Sequence, residues 1–401
     1  MDRTSSNHNA STSAGIRLGP ALPLQHFAGS PLDRSLPGVK KFDAGGQEVC
    51  LVVCSGREIC VHPQESDGSG ATQDLQILLL GANDPQLDLN SDEIALLFAP
   101  DGEGTDVKRL PLYLLGQDSA ERWTFALDIS GPCKAAFLGF LQEGCALGVV
   151  MQDLRSLMPS LSRDACSIAG QAVSLSQWHQ THRFCHRCGA HTAPVEMGMR
   201  RKCVVAEHKL YPRTDPVVIM LVESPDGRRA LLGRSRKFTP GMYTCLSGFI
   251  DQCESIEEAV RREVREEARV AVEEVQIVGS QPWPIGRYGS CELMLGCVAK
   301  ARSYEIMVNT GEMEDVQWYD RAELRAAVGL YDDLGDASVA ELQQHSMDSL
   351  GFFVPPPLAI AHHLIRLWAR AEGPWFPAHP ASSSTAGGPG SSSSKAPASA
   401  L

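Results

Sequence analysis

Glu263, Glu266 and Glu267 crowd together in a segment that reads as a helix from roughly Ser255 to Ala268. Ser255 fits the N-cap, and Glu258 three residues on completes a capping box. Ala259, Val260 and Val264 make a short apolar stripe for the core. Glu263 and Glu267 are four apart and share one face, with Glu266 at its edge. Like charges so placed repel by about a few tenths of a kcal/mol per pair unless a cation lies between them. Hard oxygen ligands of this kind suit Mg²⁺ or Mn²⁺, the ions that assist hydrolysis of a phosphate anhydride. Arg261, Arg262 and Arg265 offer the other reading, a solvated helix whose acids pair with neighbouring bases.

The wider spacing favours the metal. Gly248 is followed after five residues by Glu254, and after seven more by Arg262-Glu263-Val264, with Glu266-Glu267 and Val270 beyond. This pattern resembles the Nudix box, the loop–helix–loop signature of Nudix hydrolases. It departs where the family has a glycine two after Glu267, a position occupied here by Arg269. A glycine there would serve a helix end at positive φ, so the arginine implies about 1 kcal/mol of strain or a different exit path. The resemblance implies that Glu263 and Glu267 ligate several divalent ions and that Glu266 is a ligand or base-side helper. Such ions withdraw charge from the phosphoryl oxygens and activate a water for in-line attack. Arg262 and Glu254 would pair to hold the loop to the helix.

Ser280-Gln281-Pro282-Trp283-Pro284 follows the box. Alone it reads as a Pro-stiffened loop with one packed Trp. Downstream of the box it resembles the SQPWPFPxS motif of the NADH pyrophosphatase branch, where a rigid loop offers apolar and aromatic walls to a flat ring. The match frays at Ile285-Gly286, which replace Phe-Pro. Arg287-Tyr288-Gly289 then lengthens the stretch before Ser290, and Leu293-Met294 resumes the pattern. Tyr288 is a candidate for the aromatic face that Ile285 lacks. The resemblance also implies that Glu312, in an acidic strand, is a remote metal ligand. It places Tyr211, Ser247, Gln281, Pro282, Trp283, Pro284, Ile285, Gly286, Ser290, Glu312 and Ala361 beside the substrate.

Cys185 and Cys188 form a Cys-x2-Cys knuckle, and Cys203 follows after fourteen residues. His208 lies five further on, and a Cys3His set is an ordinary structural Zn²⁺ site. His182, His186 and His191 compete for the fourth place but lie too near the knuckle to close a tetrahedron easily. The remaining cysteines read as small apolar packing residues, and the odd total of 13 suggests reduced thiols and an intracellular address.

These groups must be carried by a chain of 401 residues, long enough for two or three domains. Residues 1–40 and 373–401, rich in Ser, Gly, Pro and Ala, read as a disordered arm and tail. Residues 41–177 contain short apolar runs at 48–53, 76–80, 94–98, 110–115 and 123–129, a β-rich domain closed by a helix from about 164 to 182. By resemblance this is a Nudix-like domain. Residues 178–212 hold the cysteine cluster as a zinc ribbon. Residues 213–372 alternate strands (217–222, 230–234, 293–299, 316–319) with two strong helices, an α/β pattern that the resemblance specifies as an α/β/α sandwich with a mixed sheet. No internal repeat is legible. No apolar run is long enough to span a membrane. The net charge of −12 argues against a dedicated nucleic-acid surface.

The resemblance, strongest from Trp178 onward, implies hydrolysis of NADH and NAD⁺ to AMP and the nicotinamide mononucleotide. It also implies catalytic Mg²⁺ or Mn²⁺, structural Zn²⁺ and a homodimer. Removal of NAD caps from RNA 5′ ends uses the same bond and ranks second. A zinc-ribbon binding module with an inactive Nudix domain is the competitor from another class, and the intact Glu263, Glu266, Glu267 and Glu312 argue against it. Relatives in this branch reside in peroxisomes and other organelles. The terminal Ser399-Ala400-Leu401 has a peroxisomal leucine but lacks the basic middle residue.

Overall fold

The computed structural model describes residues 22, 25–34, 49–63, 75–81, 110–131, 134–144, 148–332 and 338–376. The expected strand at 94–98 and the terminal tripeptide lie outside the described residues.

The N-terminal domain is a seven-stranded sheet of β1 (Val49–Ser55), β2 (Glu58–Pro63), β3 (Leu75–Ile77), β4 (Leu79–Gly81), β5 (Leu112–Gln117), β6 (Trp123–Asp128) and β7 (Val150–Asp153). Its helices are α1 (Lys134–Gly144), the single turn α2 (Leu154–Leu157) and α3 (Arg163–Thr181), the last capped by Ser162. Alternation sorts β1 between two layers, as a period of two requires. Leu51 and Val53 pack toward Phe137 and Leu141 of α1, while Val52 and Cys54 pack toward Ala169, Ala172 and Val173 of α3. The domain expected to be β-rich is thus covered by helix on both faces.

Between the two large sheets in sequence lies a three-stranded sheet of β8 (Thr192–Val195), β9 (Arg200–Cys203) and β10 (Lys209–Leu210). A buried joint fixes it to the first domain. His179 of α3 donates through Nε2 to the Gly198 carbonyl at 2.6 Å and accepts at Nδ1 from Arg201 at 2.9 Å. Its ring stacks on Tyr113 at 3.8 Å. Burial pushes its pKa down to about 3, so the imidazole stays neutral and keeps this tautomer.

The third sheet comprises β11 (Asp215–Glu223), β12 (Arg229–Arg234), β13 (Leu246–Phe249), β14 (Val272–Trp283), β15 (Glu292–Ala301) and β16 (Asp315–Asp320). Its helices are α4 (Ile256–Ala268), α5 (Arg321–Gly329), α6 (Val339–Leu350) and α7 (Ile360–Arg370). Val218, Met220 and Val222 of β11 meet α4, and Ile219 and Leu221 meet α7, giving the expected α/β/α sandwich with a mixed sheet.

The two large sheets are wired alike. β11 pairs antiparallel with β12 and β13 and parallel with β15, and β1 pairs the same ways with β2, β4 and β6. β14–β15 and β12–β16 likewise answer to β5–β6 and β2–β7. The chain does hold a repeat, one of topology that its sequence does not display.

Two boundaries move outward. Phe27 and Leu32 of the expected arm are buried, and Asp33 bridges to Gln117. Phe376 of the expected tail is also buried. It is held by Glu223, a fully buried carboxylate that accepts from Trp368 Nε1 at 2.7 Å and Trp375 N at 2.8 Å and meets Lys300 Nζ at 3.1 Å and Arg321 Nη2 at 3.4 Å. Single aromatic side chains overcame the local Gly, Ser and Pro content because each buries a large apolar area.

Candidate active site

α4 begins at the capping box anticipated for it: Ser255 Oγ accepts from Glu258 N at 3.2 Å, and Glu258 accepts from Ser255 N at 2.8 Å. It ends at Arg269 with φ 60° and ψ 10°. The left-handed exit is therefore kept, and the arginine bears its strain. The last-turn carbonyls are met from the segment before β16. Met307 N donates to Ala268 O at 2.9 Å and Asn309 N to Glu267 O at 3.0 Å, and Glu312 N closes on Asn309 O at 3.1 Å. This is what brings Glu312 to the box. Neither Met307 nor Asn309 carried any signal in the sequence, because the bonds that reach α4 come from their backbone N–H groups.

Gly248 of β13 pairs opposite Val218. A Cβ added there would fall 1.9 Å from the carboxyl carbon of Glu263, so the glycine leaves the space that this acid fills. Arg262 forks onto Glu254 with two 2.8 Å bonds, reaches the Phe249 carbonyl at 2.8 Å and Glu263 at 2.8 Å, and touches Glu266 at 3.2 Å. The expected Arg262–Glu254 pairing thus also ties the loop to two of the box acids.

Among the described residues no cation bonds to Glu267. Its Oε2 is buried without a hydrogen-bond partner. Burial, then the charges of Glu263 and Glu312, push its pKa up to about 8, opposed by the Ser247 amide and Arg287. Burial also raises Glu263, against Arg262. A buried acid oxygen without a donor, close to two more acids, fits a divalent cation. Glu266 is half exposed at the edge of this group.

The motif at 280–284 behaves differently from expectation. Gln281, Pro282 and Trp283 are not in a loop but pair in β14 with Met294, Leu293 and Glu292. Gln281 is buried, and its amide accepts from Ile360 N at 2.8 Å and donates to Leu358 O at 2.9 Å. Trp283 is held edge-on by Phe27 at 6.0 Å, with the Arg155 guanidinium 5.5 Å from its ring. Ile285 is fully buried in the core of the N-terminal domain and takes Arg155 Nη2 on its carbonyl at 3.1 Å. Ile285 offers no wall to a ligand; it joins two domains. Pro284 is buried as well, against Gly170. Gly286 leaves room for Glu292 and Ser290, which bond each other at 2.9 Å. The side chain of Tyr288 lies outside the described ones. Tyr211 is exposed, with Arg200 4.9 Å from its ring centroid. Ala361 is buried in the first turn of α7.

Cys185, Cys188, Cys203 and His208 bring their ligand atoms within 4.8 Å of one another. Cys185 Sγ stands 3.4 Å from His208 Nδ1, and Cys188 Sγ 3.5 Å from Cys203 Sγ. These are close to the roughly 3.8 Å edge of a tetrahedral zinc–thiolate site. The Arg187 amide, the His208 ring and the Cys188 amide hold the Cys185 thiol below its ordinary pKa. His182 is turned onto the Trp178 carbonyl and His191 onto Phe184, away from the cluster. Cys253, expected to pack inside, is exposed at φ 62° in the loop before α4.

Two family models match this chain: "NUDIX domain" over residues 213–337 and "NADH pyrophosphatase-like rudimentary NUDIX domain" over residues 47–178. The chain belongs to the Nudix family, in the branch where a rudimentary copy of the fold precedes the full one. "Nudix hydrolase 19, chloroplastic" of Arabidopsis thaliana is 36% identical over 294 residues, 66% of each chain. Human "NAD-capped RNA hydrolase NUDT12" is 40% identical over 265 residues, 63% of this chain and 51% of the relative. Human "NAD(P)H pyrophosphatase NUDT13, mitochondrial" is 34% identical over 276 residues, 67% of this chain and 74% of the relative. This chain thus spans between half and two thirds of the first two of these relatives. Among the described residues no helix is long and apolar enough to cross a membrane.

Proposed function

We propose that the protein hydrolyses the diphosphate of NADH, and of NAD⁺, to AMP and the nicotinamide mononucleotide. The observation that carries this reading is Glu267, buried with an unpartnered oxygen and pressed by Glu263 and Glu312. Divalent Mg²⁺ or Mn²⁺ held by Glu263, Glu266, Glu267 and Glu312 would supply charge neutralisation at the diphosphate and an acidified water. Glu267 would hold such an ion as the deprotonated carboxylate. Glu266, the half-exposed member, would take a proton from the attacking water. Arg262 holds the loop and Glu263 in register. Tyr211, Ser247, Ser290 and the start of α7 at Ala361 would line the nucleotide, with Trp283, Pro284 and Ile285 supporting them from behind. A zinc ion at Cys185, Cys188, Cys203 and His208 would clamp the ribbon.

A second reading, release of NAD caps from RNA 5′ ends by the same cleavage, is favoured by the printed name of the human relative at 40% identity. We also propose a homodimer and an organellar, peroxisomal address. Relatives named chloroplastic and mitochondrial support an organelle in general.

Hydrolysis of NADH, NAD⁺ and ADP-ribose with Mg²⁺ or Mn²⁺ tests the first reading. The wild type should cleave NADH fastest, and Glu267→Gln should fall by at least about 100-fold. Equal, slow turnover of all three substrates by both proteins would remove the catalytic reading. Metal content tests the ribbon: one zinc per chain is expected, and retention of zinc by His208→Ala would exclude that ligand.

A further inference from the structure

We infer that the zinc ribbon carries a binding surface for single-stranded RNA. The overall charge of −12 conceals a segregation. Residues 178–212 hold six Lys and Arg against two acids, Glu196 and Glu207, a net of +4. The acids lie in opposite turns and each has a basic partner: Glu196, between β8 and β9, pairs with Arg200 at 3.0 Å, and Glu207, between β9 and β10, with Lys202 at 2.6 Å. At the knuckle end the one acid, Glu207, is paired with Lys202. There Arg183 and Arg187 are exposed beside Phe184 and His191.

The same end is apolar where it should not be. Phe184, Val204 and Val205 are 58%, 63% and 78% exposed. They are contiguous: Phe184 bridges to His191, their rings 4.7 Å apart, and Val204 N donates to the His191 carbonyl at 3.0 Å. Cations beside an open aromatic platform suit a polyanion with stackable bases. A protein partner would find the apolar patch but no use for the charge, and a membrane surface would offer no bases to stack.

The surface also leads somewhere. The knuckle end lies at the Cys203 end of β9, while Arg200 and exposed Tyr211 lie at the other. The four residues of β9 span roughly 13 Å, a distance a few nucleotides cover. Tyr211 then runs into Asp215, which pairs opposite Glu292 at the end of the sheet where Phe249 leads into the box loop. A strand whose 5′ nucleotide occupies the carboxylate site would pass Tyr211 and lay its next bases on Phe184.

Binding at the ribbon needs no turnover, so it is separable from the diphosphate reading. The test is fluorescence anisotropy of a labelled oligoadenylate of about 12 nucleotides on the full chain, with zinc content and NADH hydrolysis measured alongside. Phe184→Ala should weaken binding by roughly 5- to 150-fold, the loss expected for one stacked base, and Phe184→Trp should restore it. Arg187→Glu should weaken binding and flatten its salt dependence. Duplex RNA, with its bases hidden, should bind more weakly than the single strand. All three variants should keep wild-type zinc and NADH hydrolysis. Wild-type affinity in Phe184→Ala and Arg187→Glu, equal binding of duplex, or loss of a dimer on Phe184→Ala would overturn the inference. RNA binding without any NADH hydrolysis would leave it standing and remove the proposed activity instead.

Discussion

Alanine at position 248 should cost activity while leaving the protein folded. Gly248 lies in a strand at an ordinary φ, so alanine meets no backbone strain. Its Cβ would fall 1.9 Å from the Glu263 carboxyl carbon and 2.0 and 2.2 Å from the two oxygens. Ordinary contact is near 3.5 Å, so the carboxylate must retreat by about 1.5 Å. The obstacle is the far end of a flexible side chain, and β13 need not move. Stability then falls by about 1.5–3 kcal/mol, the worth of the charge-assisted bond from Arg262 that is lost. Arg262 keeps its fork on Glu254 and its bond to Phe249, so the loop survives. A misplacement of about 1 Å at a reacting centre costs roughly 100-fold in rate. Melting temperature, kcat for NADH and the Mg²⁺ concentration for half-maximal rate should be measured together. A folded Gly248→Ala protein with wild-type kcat and metal dependence would refute the assignment of Glu263 as a ligand. An unfolded one would show that the glycine serves packing instead.

In the metal-free protein Glu267 holds its proton to about pH 8, whereas an unfolded chain releases it near the ordinary 4.5. Between those values the folded state binds the extra proton, so this residue's contribution to stability falls as pH rises from about 4.5 to 8. Melting in chelator should therefore decline over that window by a few kcal/mol more in the wild type than in Glu267→Gln, on the order of 1.4 kcal/mol per unit; parallel curves would show that the carboxyl is not desolvated. Glu223→Ala should destabilise by about 3–5 kcal/mol, since Lys300 and Arg321 lose a buried counter-charge; a loss below about 1 kcal/mol on denaturant unfolding would show that water reaches the site. Arg269→Gly should gain about 1 kcal/mol by relieving the left-handed exit of α4, and a lower melting temperature would mean that the arginine has a compensating contact.

Much of the C-terminal domain was legible because its signals are local. Ser255 and Glu258 announce a helix start within four residues, and Glu263 with Glu267 announces a face. What was hidden depends on pairing across the chain. Pro282 suggested a loop, yet it tolerates β14 because the strand has only β15 beside it, at the edge of the sheet. The packing of Trp283 and Ile285 against the N-terminal domain was hidden, since nothing nearby in sequence shows that this domain lies there. Phe27 and Phe376, set among Gly, Ser and Pro, gave no period to follow. The likeness of the two large sheets lies in strand order, which substitution of side chains does not erase. The charge of the ribbon was lost in a total, because a sum over the chain averages away where charges sit.

Gln281 has a consequence for the order of assembly. Ala359 offers α7 no side-chain cap, and the first turn of that helix is closed instead by an amide 79 residues earlier. The same amide reaches back to the carbonyl of His26 at 3.4 Å. During synthesis, Glu263, Glu266, Glu267 and Glu312 all leave the ribosome before residue 360 does. The oxygen of this buried amide in β14 lacks its α7 partner until the final helix arrives. Long-range closures of this kind come late in folding. The C-terminal half is therefore finished from its far end, and a truncated or stalled chain would own every acid of the candidate site without the frame that orients it.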